Sequence, residues 1–407
     1  MRTNAHEGPS PDSGGAFGPE LSGTNLVRAG DHNQRVTLHA IRVNGPVTRT
    51  ALAAMTGLTA AAIANITKRL HKDGLILEAG RLRGARGQPA TKLVINPAGC
   101  FSIGLNVDRD HITLVVLDFV GKVRGRSSRE IAFAKPDTVR TFFQRSARKL
   151  LATTGICEDR VVGVGVAFPD DIARAHLPDQ PRDYAAWAFV KIDELIRDVL
   201  GVPVFVENDA AAAAIGEMQF GSGQQYRSFF YLLITAALGG GLVANGSYFR
   251  GANGRSGEIG WLHARNAAGE DTELQNIVSL SALYRRLADE GFHVASPRAL
   301  AHLEPAARAV VDRWIREATA ALVDSLVAIN CLINPDAILI GGRLPSVLVD
   351  QLAAAVNASM RRFATQLPAI APVARAATAD DAPAVGAAIL PFSDRFLPTR
   401  FALLKTA

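Results

Sequence analysis

The stretch V-T-R-T-A-L-A-A-M-T-G-L-T-A-A-A-I-A-N-I-T-K-R-L-H-K-D-G-L-I-L-E-A-G-R-L-R-G-A-R-G-Q-P, Val47 to Pro89, decides how the N-terminal part of the chain folds. Thr48 is placed to cap a short helix, since its hydroxyl can accept from an amide of the first turn that has no partner within the helix. Ala51, Leu52 and Met55 give that helix an apolar face, and Gly57 ends it. Thr59 caps a second helix, Ala60 to about Lys72, whose Ile63, Ile66 and Leu70 recur at helical spacing and face inward. The outward face carries Thr59, Ala61, Asn65, Lys68, Arg69 and Lys72. Asp73-Gly74 stops it. Leu75 to Leu77 reads as a strand, Gly80 to Gly87 as a tip bearing Arg81, Arg83 and Arg86, and Thr91 to Ile95 as the returning strand. Two short helices, a tight turn and an arginine-tipped hairpin make a winged helix-turn-helix. A helix of this kind fits the major groove, where Asn and Thr reach base edges, and a cationic tip reaches phosphate or the minor groove. The candidate DNA-contacting set is therefore Thr48, Thr59, Ala61, Asn65, Lys68, Arg69, Lys72, Arg81, Arg83 and Arg86, and the expected partner is a double-stranded operator.

Charge supports this. The chain has 407 residues and a net charge of +6, yet residues 26–96 hold 11 Lys/Arg against 3 Asp/Glu, while residues 97–407 balance. The excess positive charge sits where phosphate contact and counterion release would use it. The length allows two or three domains. No run of about 18 uncharged apolar residues occurs, and the N-terminus lacks a signal-like apolar core, so a cytoplasmic location without membrane attachment is expected. Three separated cysteines, Cys100, Cys157 and Cys331, argue against a disulfide framework and fit a reducing compartment.

Working outward, residues 1–30 are rich in Gly, Pro, Ser and Asn and are expected to form a disordered arm. Asp31 or Asn33 is placed to cap a supporting helix, Gln34 to Val43, with Val36, Leu38, Ile41 and Val43 at its apolar positions. Residues 31–97 then make the DNA-binding domain. Beyond Asn96-Pro97 come apolar strands at Phe101–Val107, His111–Phe119 and Val123–Phe133. A helix, Thr138 to Thr154, leads to a buried strand, Val161 to Phe168. The same order of strand meander and helices recurs further on, suggesting a two-lobed α/β domain with a cleft between the lobes.

Several stretches carry a resemblance: the reader helices, V-E-N-D-A-A-A-A-A-I-G-E at 206–217, G-G-G-L-V-A-N-G at 239–246, G-A-N-G-R-S-G-E-I-G at 251–260 and I-N-P-D-A-I-L-I-G-G at 333–342. In this order they resemble the ROK family, and within it the winged-helix repressor branch, over about Asn33 to Leu390. The resemblance implies an actin-like sugar-kinase fold behind the reader. Its small lobe would be 98–207 plus 383–407, its large lobe 208–382, and a sugar site would lie between them. It also implies a homodimer or homotetramer.

By the same resemblance, Asp209 stands at the family's catalytic base and Asn208 and Glu258 at sugar-binding positions. Asn253 lies in the same loop. The family's His after G-E-I-G is Trp261 here, whose broad face can stack on a sugar ring or plug the pocket; the expected ligand set is Asn208, Asp209, Asn253, Glu258 and Trp261. The glycine expected after Pro169 is Asp170. The phosphate turn D-x-G-G-T-K is replaced by Asn106-Val107-Asp108-Arg109-Asp110-His111, which puts carboxylates where phosphate would lie. The second turn, G-T-G-x-G, has become Thr235-Ala236-Ala237-Leu238-Gly239. The family's cysteine-rich zinc motif is missing from 262–279, where His263 reads as a surface residue; no metal and no cofactor are expected. These departures point to a regulator, most simply a repressor released by a sugar or sugar derivative, rather than an ATP-dependent kinase. The competing readings are a sugar kinase with an appended DNA-binding domain and a ligand-independent DNA-binding protein.

Overall fold

The computed structural model describes residues 26–82, 90–170, 172, 186–367, 369–378 and 381–398. It opens with α1 (Leu26–Asn44), then β1 (Val47–Thr48), α2 (Arg49–Thr56), α3 (Ala60–Lys72), β2 (Ile76–Leu82) and β3 (Ala90–Ile95). The first helix begins within the stretch expected to be a disordered arm, well before Gln34. The Gly- and Asn-containing sequence hides this start, because α1 is held by tertiary packing of Leu38 and Ile41 rather than by local propensity. Val43, expected to face inward, is exposed, as is Met55 on α2; Leu52 alone is buried on that helix. The strands pair in the order β1-β3-β2, all antiparallel.

Behind the reader, two five-stranded sheets repeat one plan. The first contains β4 (Phe101–Val107), β5 (His111–Asp118), β6 (Val123–Glu130), β7 (Val161–Ala167) and β8 (Val204–Glu207), ordered β6-β5-β4-β7-β8. The second contains β9 (Phe229–Ile234), β10 (Leu238–Ala244), β11 (Ser247–Tyr248), β14 (Ala337–Gly342) and β15 (Val373–Arg375), ordered β11-β10-β9-β14-β15. Each is a three-stranded antiparallel meander extended by two parallel strands. β4 and β5 are buried along their whole length, although β4 alternates Phe101, Ile103, Leu105 and Val107 with Ser102, Gly104 and Asn106, because both faces of the sheet are covered. A small hairpin, β12 (His263–Arg265) with β13 (Asp271–Glu273), occupies the segment where the family's zinc motif was sought.

Helices α4 (Pro136–Thr154) and α5 (Ile192–Leu200) share a core with the first sheet. Helices α7 (Leu280–Asp289), α8 (Pro305–Leu332) and α9 (Ser346–Met360) share one with the second, around the fully buried Trp314. Between the sheets run α6 (Asp209–Phe220) and α10 (Ala382–Phe396). Their contacts admit only small side chains. A Cβ on Gly165 would lie 1.8 Å from the Ala387 carbonyl oxygen, and one on Gly386 would lie 1.7 Å from that of Ala212. The reader is not a separate bead: Leu38, Ile41, Leu52 and Ile63 belong to one apolar cluster with Phe119, Ile215, Phe392 and Phe396.

Candidate DNA-reading surface and effector cleft

The reader forms as its caps dictate. The Thr48 hydroxyl accepts from the Ala51 amide at 3.2 Å, and the Thr59 hydroxyl accepts from that of Ala62 at 3.2 Å. Gly57 takes the left-handed conformation, φ 70°, and its N–H donates to the Ala53 carbonyl. The chain bends by 116° between α2 and α3, within the range of helix-turn-helix motifs. Ile63, Ile66, Thr67 and Leu70 are buried, and Arg49 Nε donates to the Thr67 hydroxyl at 3.0 Å, tying α2 to α3. This leaves Ala61, Asn65, Lys68 and Lys72 along one exposed face, with Arg69 beside it and Thr59 at its start. Thr48 is half-buried. His71, which the sequence reading passed over, is also exposed near the end of α3. The backbone of Arg81 lies opposite Thr91 in the wing, while Arg83 and Arg86 fall outside the described residues.

The cleft is built at the N-terminus of α6. Asn208 caps that helix: its Oδ1 accepts from the amides of Ala210, at 2.9 Å, and Ala211, at 3.2 Å, and its Nδ2 donates to Asp170 at 3.2 Å. Asp209 follows, and loss of solvent, reinforced by the Asp108 carboxylate, pushes its pKa up to about 7. Arg255 reaches across: its Nε donates to Glu258 at 2.9 Å and lies 3.8 Å from Asp170. Trp261 forms part of the wall and is half exposed. The cavity bounded by these groups measures about 60 Å³, far below the size of ordinary small-molecule pockets. Four of the five expected ligand residues, Asn208, Asp209, Glu258 and Trp261, therefore meet in one place. Asn253 does not: it is exposed, outside the cavity lining, and its Oδ1 accepts from the Arg255 amide, bracing the loop. Arg109, Arg255 and Gln275 also line the cavity; the sequence placed Arg109 only in the altered turn and gave no sign of the other two, since a polar side chain in a loop reads as solvated surface.

A second cavity of about 620 Å³ adjoins, sharing Thr235 with the first. At its edge lies the β4–β5 turn. There Asp108 Oδ1 accepts from the Arg109 amide at 2.7 Å, and Asp110 Oδ1 pairs with His111 Nδ1 at 2.9 Å. Arg343, from the end of β14, donates to Asp110 at 3.2 Å and also binds Glu130, joining the two sheets across the cleft. Burial alone would raise the Asp110 pKa, but the His111 hydrogen bond and the Arg343 charge hold it below the ordinary carboxylate value. Asp108, Asp110 and His111 bring three donor atoms within 4.8 Å of one another, a spacing that could hold a metal ion. Here the guanidinium groups of Arg109 and Arg343 supply the countercharge. In the hairpin between β9 and β10, the Thr235 amide donates to the Ala237 carbonyl at 2.9 Å, so it is turned into the loop itself. His263 is exposed and pairs with Asp271 at 3.1 Å.

The ROK family profile matches residues 102–393, and a winged helix-turn-helix DNA-binding profile matches residues 31–76. The chain belongs to the ROK family. This ROK chain is 29% identical over 369 residues to the uncharacterized protein y4fQ of Sinorhizobium fredii, covering 89% of this chain and 91% of that one. It is 25% identical over 384 residues to the DNA-binding transcriptional dual regulator NagC of Escherichia coli, covering 86% and 90%. It is 27% identical to the xylose repressor of Bacillus subtilis over 233 residues, 56% of this chain and 60% of that one. Among solved structures, a ROK family transcriptional regulator homologous to the E. coli Mlc protein superposes with a TM-score of 0.64 at 22% identity, covering 90% of this chain and 96% of that one. A ROK glucokinase from Streptomyces griseus gives 0.53 at 24% identity, covering 71% and 98%. These likenesses show the fold: a winged helix-turn-helix followed by an actin-like ROK domain. No single helix among the described residues is long and apolar enough to cross a membrane.

Proposed function

We propose that this protein is an operator-binding transcriptional repressor, released when a sugar or sugar derivative enters the cleft at the head of α6. The observation that carries this reading is the pairing of an exposed Asn65-Lys68-Lys72 face on a capped α3 with a polar cleft around Asn208, Asp209 and Glu258 in the same chain. The named relatives that regulate transcription support it. Asn65 is proposed to read a base edge, and Thr59, Lys68, Arg69 and Lys72 to hold phosphates, with Ala61 allowing close approach and Arg81, Arg83 and Arg86 on the wing. Thr48 contributes by shaping α2. Two subunits would present α3 to half-sites one helical turn apart or a multiple of it.

A sugar needs more room than the cavity gives, so binding replaces the Arg255 bridge between Asp170 and Glu258 with sugar hydroxyls and moves the loop that carries it. Operator and sugar then weaken each other by the same factor. Phosphoryl transfer is not part of the proposal: in the first turn side-chain carboxylates stand where a nucleotide needs backbone amides, and in the second the Thr235 amide is spent on Ala237. The test is a DNA-shift titration across pentoses, hexoses and N-acetylhexosamines, with labelled ATP run alongside. Release by one class without turnover supports the reading; indifference to every sugar, or turnover abolished by Asp209→Asn, overturns it.

A further inference from the structure

Two arginines on one face of α1, two turns apart, rest on two different helices of the ROK domain. Arg35 Nη1 donates to the carbonyls of Asp394, at 2.5 Å, and Leu397, at 3.4 Å, at the C-terminal end of α10. Seven residues on, Arg42 Nη2 donates to Gln219 Oε1 at 2.7 Å and Nη1 to the Gln219 carbonyl at 3.2 Å, while its guanidinium lies 5.1 Å from the centroid of the Phe220 ring. Gln219 and Phe220 are the last residues of α6, whose first turn is the cleft. Twelve helical residues span about 18 Å. The faces that α6 and α10 turn to each other are small: a Cβ on Gly216 would lie 3.0 Å from the Gly386 Cα. The contact there is backbone against backbone, and relative movement of two helices packed in this way takes the form of small shear.

We propose that α6 transmits the state of the cleft to the DNA reader, and that Arg42 is the positioning residue that receives it. A shift of α6 along α10 moves the Arg42 anchor while the Arg35 anchor stays, so α1 turns about Arg35. α2 and α3 turn with it, because Leu38, Ile41, Leu52 and Ile63 form one core. Buried Glu217 ties the far end of α6 to the turn after it and to the segment leading into α10, which keeps the shift small: its carboxylate accepts from the amides of Ser222, Ala377 and Thr378 and from the Thr378 hydroxyl. The inference rests on the function proposed above and names its route.

The test needs no knowledge of the sugar. The probe is the tightest duplex that the wild-type full chain selects from a randomised library, and the measurement is a double-mutant cycle in duplex affinity between Asn208→Ala, at the cleft end of α6, and Arg42→Met, at the reader. Sites this far apart add to within about two-fold when they are independent. The expected result is a coupling of about five-fold or more, the scale of allosteric linkage: Asn208→Ala changes affinity in the wild-type background and is silent beside Arg42→Met. Gln219→Ala removes the Oε1 acceptor and leaves the Gln219 carbonyl and the Phe220 ring, so it should reduce the coupling, and it stands in if Arg42→Met does not fold. Additive effects in both cycles overturn the inference and leave the DNA-binding function intact. Failure of the wild-type chain to select any duplex overturns both.

Discussion

Asp209→Asn is a direct test of the cleft's electrostatics. Asp209 has an ordinary pKa of 3.8 and a folded value of about 7, caused first by loss of solvent and next by Asp108, against the opposing pull of Arg109 and the Ala210 amide. The folded chain therefore keeps a proton that the unfolded chain gives up between about pH 4 and 7. The stabilisation is complete below about pH 4 and is lost as pH rises through about 7. A rise from 3.8 to about 7 corresponds to about 4 kcal/mol, and partial contact with solvent reduces this to about 2. Asn keeps an oxygen for the Ala210 amide and never ionises. In melts of the DNA-free chain, Asp209→Asn should lie a few degrees above wild type at pH 8 and coincide with it near pH 4. An equal gap at both pH values, or a lower melting temperature for the variant at pH 8, would refute the assignment.

Other substitutions probe the reader and the frame. Lys68→Ala should weaken duplex binding evenly across sequences and reduce the salt slope by about one, whereas Asn65→Ala should cost about 1–3 kcal/mol and relax preference at one base position; competition shifts over a salt series separate the two. Leu52→Ala empties a fully buried site and should cost about 2–5 kcal/mol, seen in denaturant titration as a lower midpoint. Gly165→Ala should fail to give a cooperatively melting protein, because its methyl would collide with the Ala387 carbonyl.

What the sequence disclosed follows the range of the forces involved. Thr48, Gly57 and Thr59 act within a few residues, and the inward spacing of Ile63, Ile66 and Leu70 needs only one helix, so α2 and α3 were legible nearly to their ends. The start of α1 was not: Gly30 and Asp31 read as the end of an arm and a cap, whereas both lie within the helix, where Asp31 pairs with Arg35 one turn on. In the cleft, Asn208, Asp209, Glu258 and Trp261 were legible through their motifs. The bridge of Arg255 to Asp170 and Glu258 was not, since it joins segments that periodicity treats separately. Asn253 illustrates the reverse error: neighbouring a motif in sequence, it turns to brace its own loop.

The β4–β5 turn links these threads. A turn that cradles phosphate must leave its backbone amides free and facing an anion. Here the Arg109 amide is taken by Asp108 Oδ1, and the Asp108 amide by the His111 carbonyl. Two carboxylates placed close together need countercharge, and Arg343 brings it from the other sheet, across more than two hundred residues of chain. The turn that stands in place of the family's phosphate turn thus also helps tie the two sheets together. The proposed entry of a sugar would break the Arg255 bridge between Asp170 and Glu258, beside the start of α6, and would leave the Arg343 pairs with Asp110 and Glu130 in place.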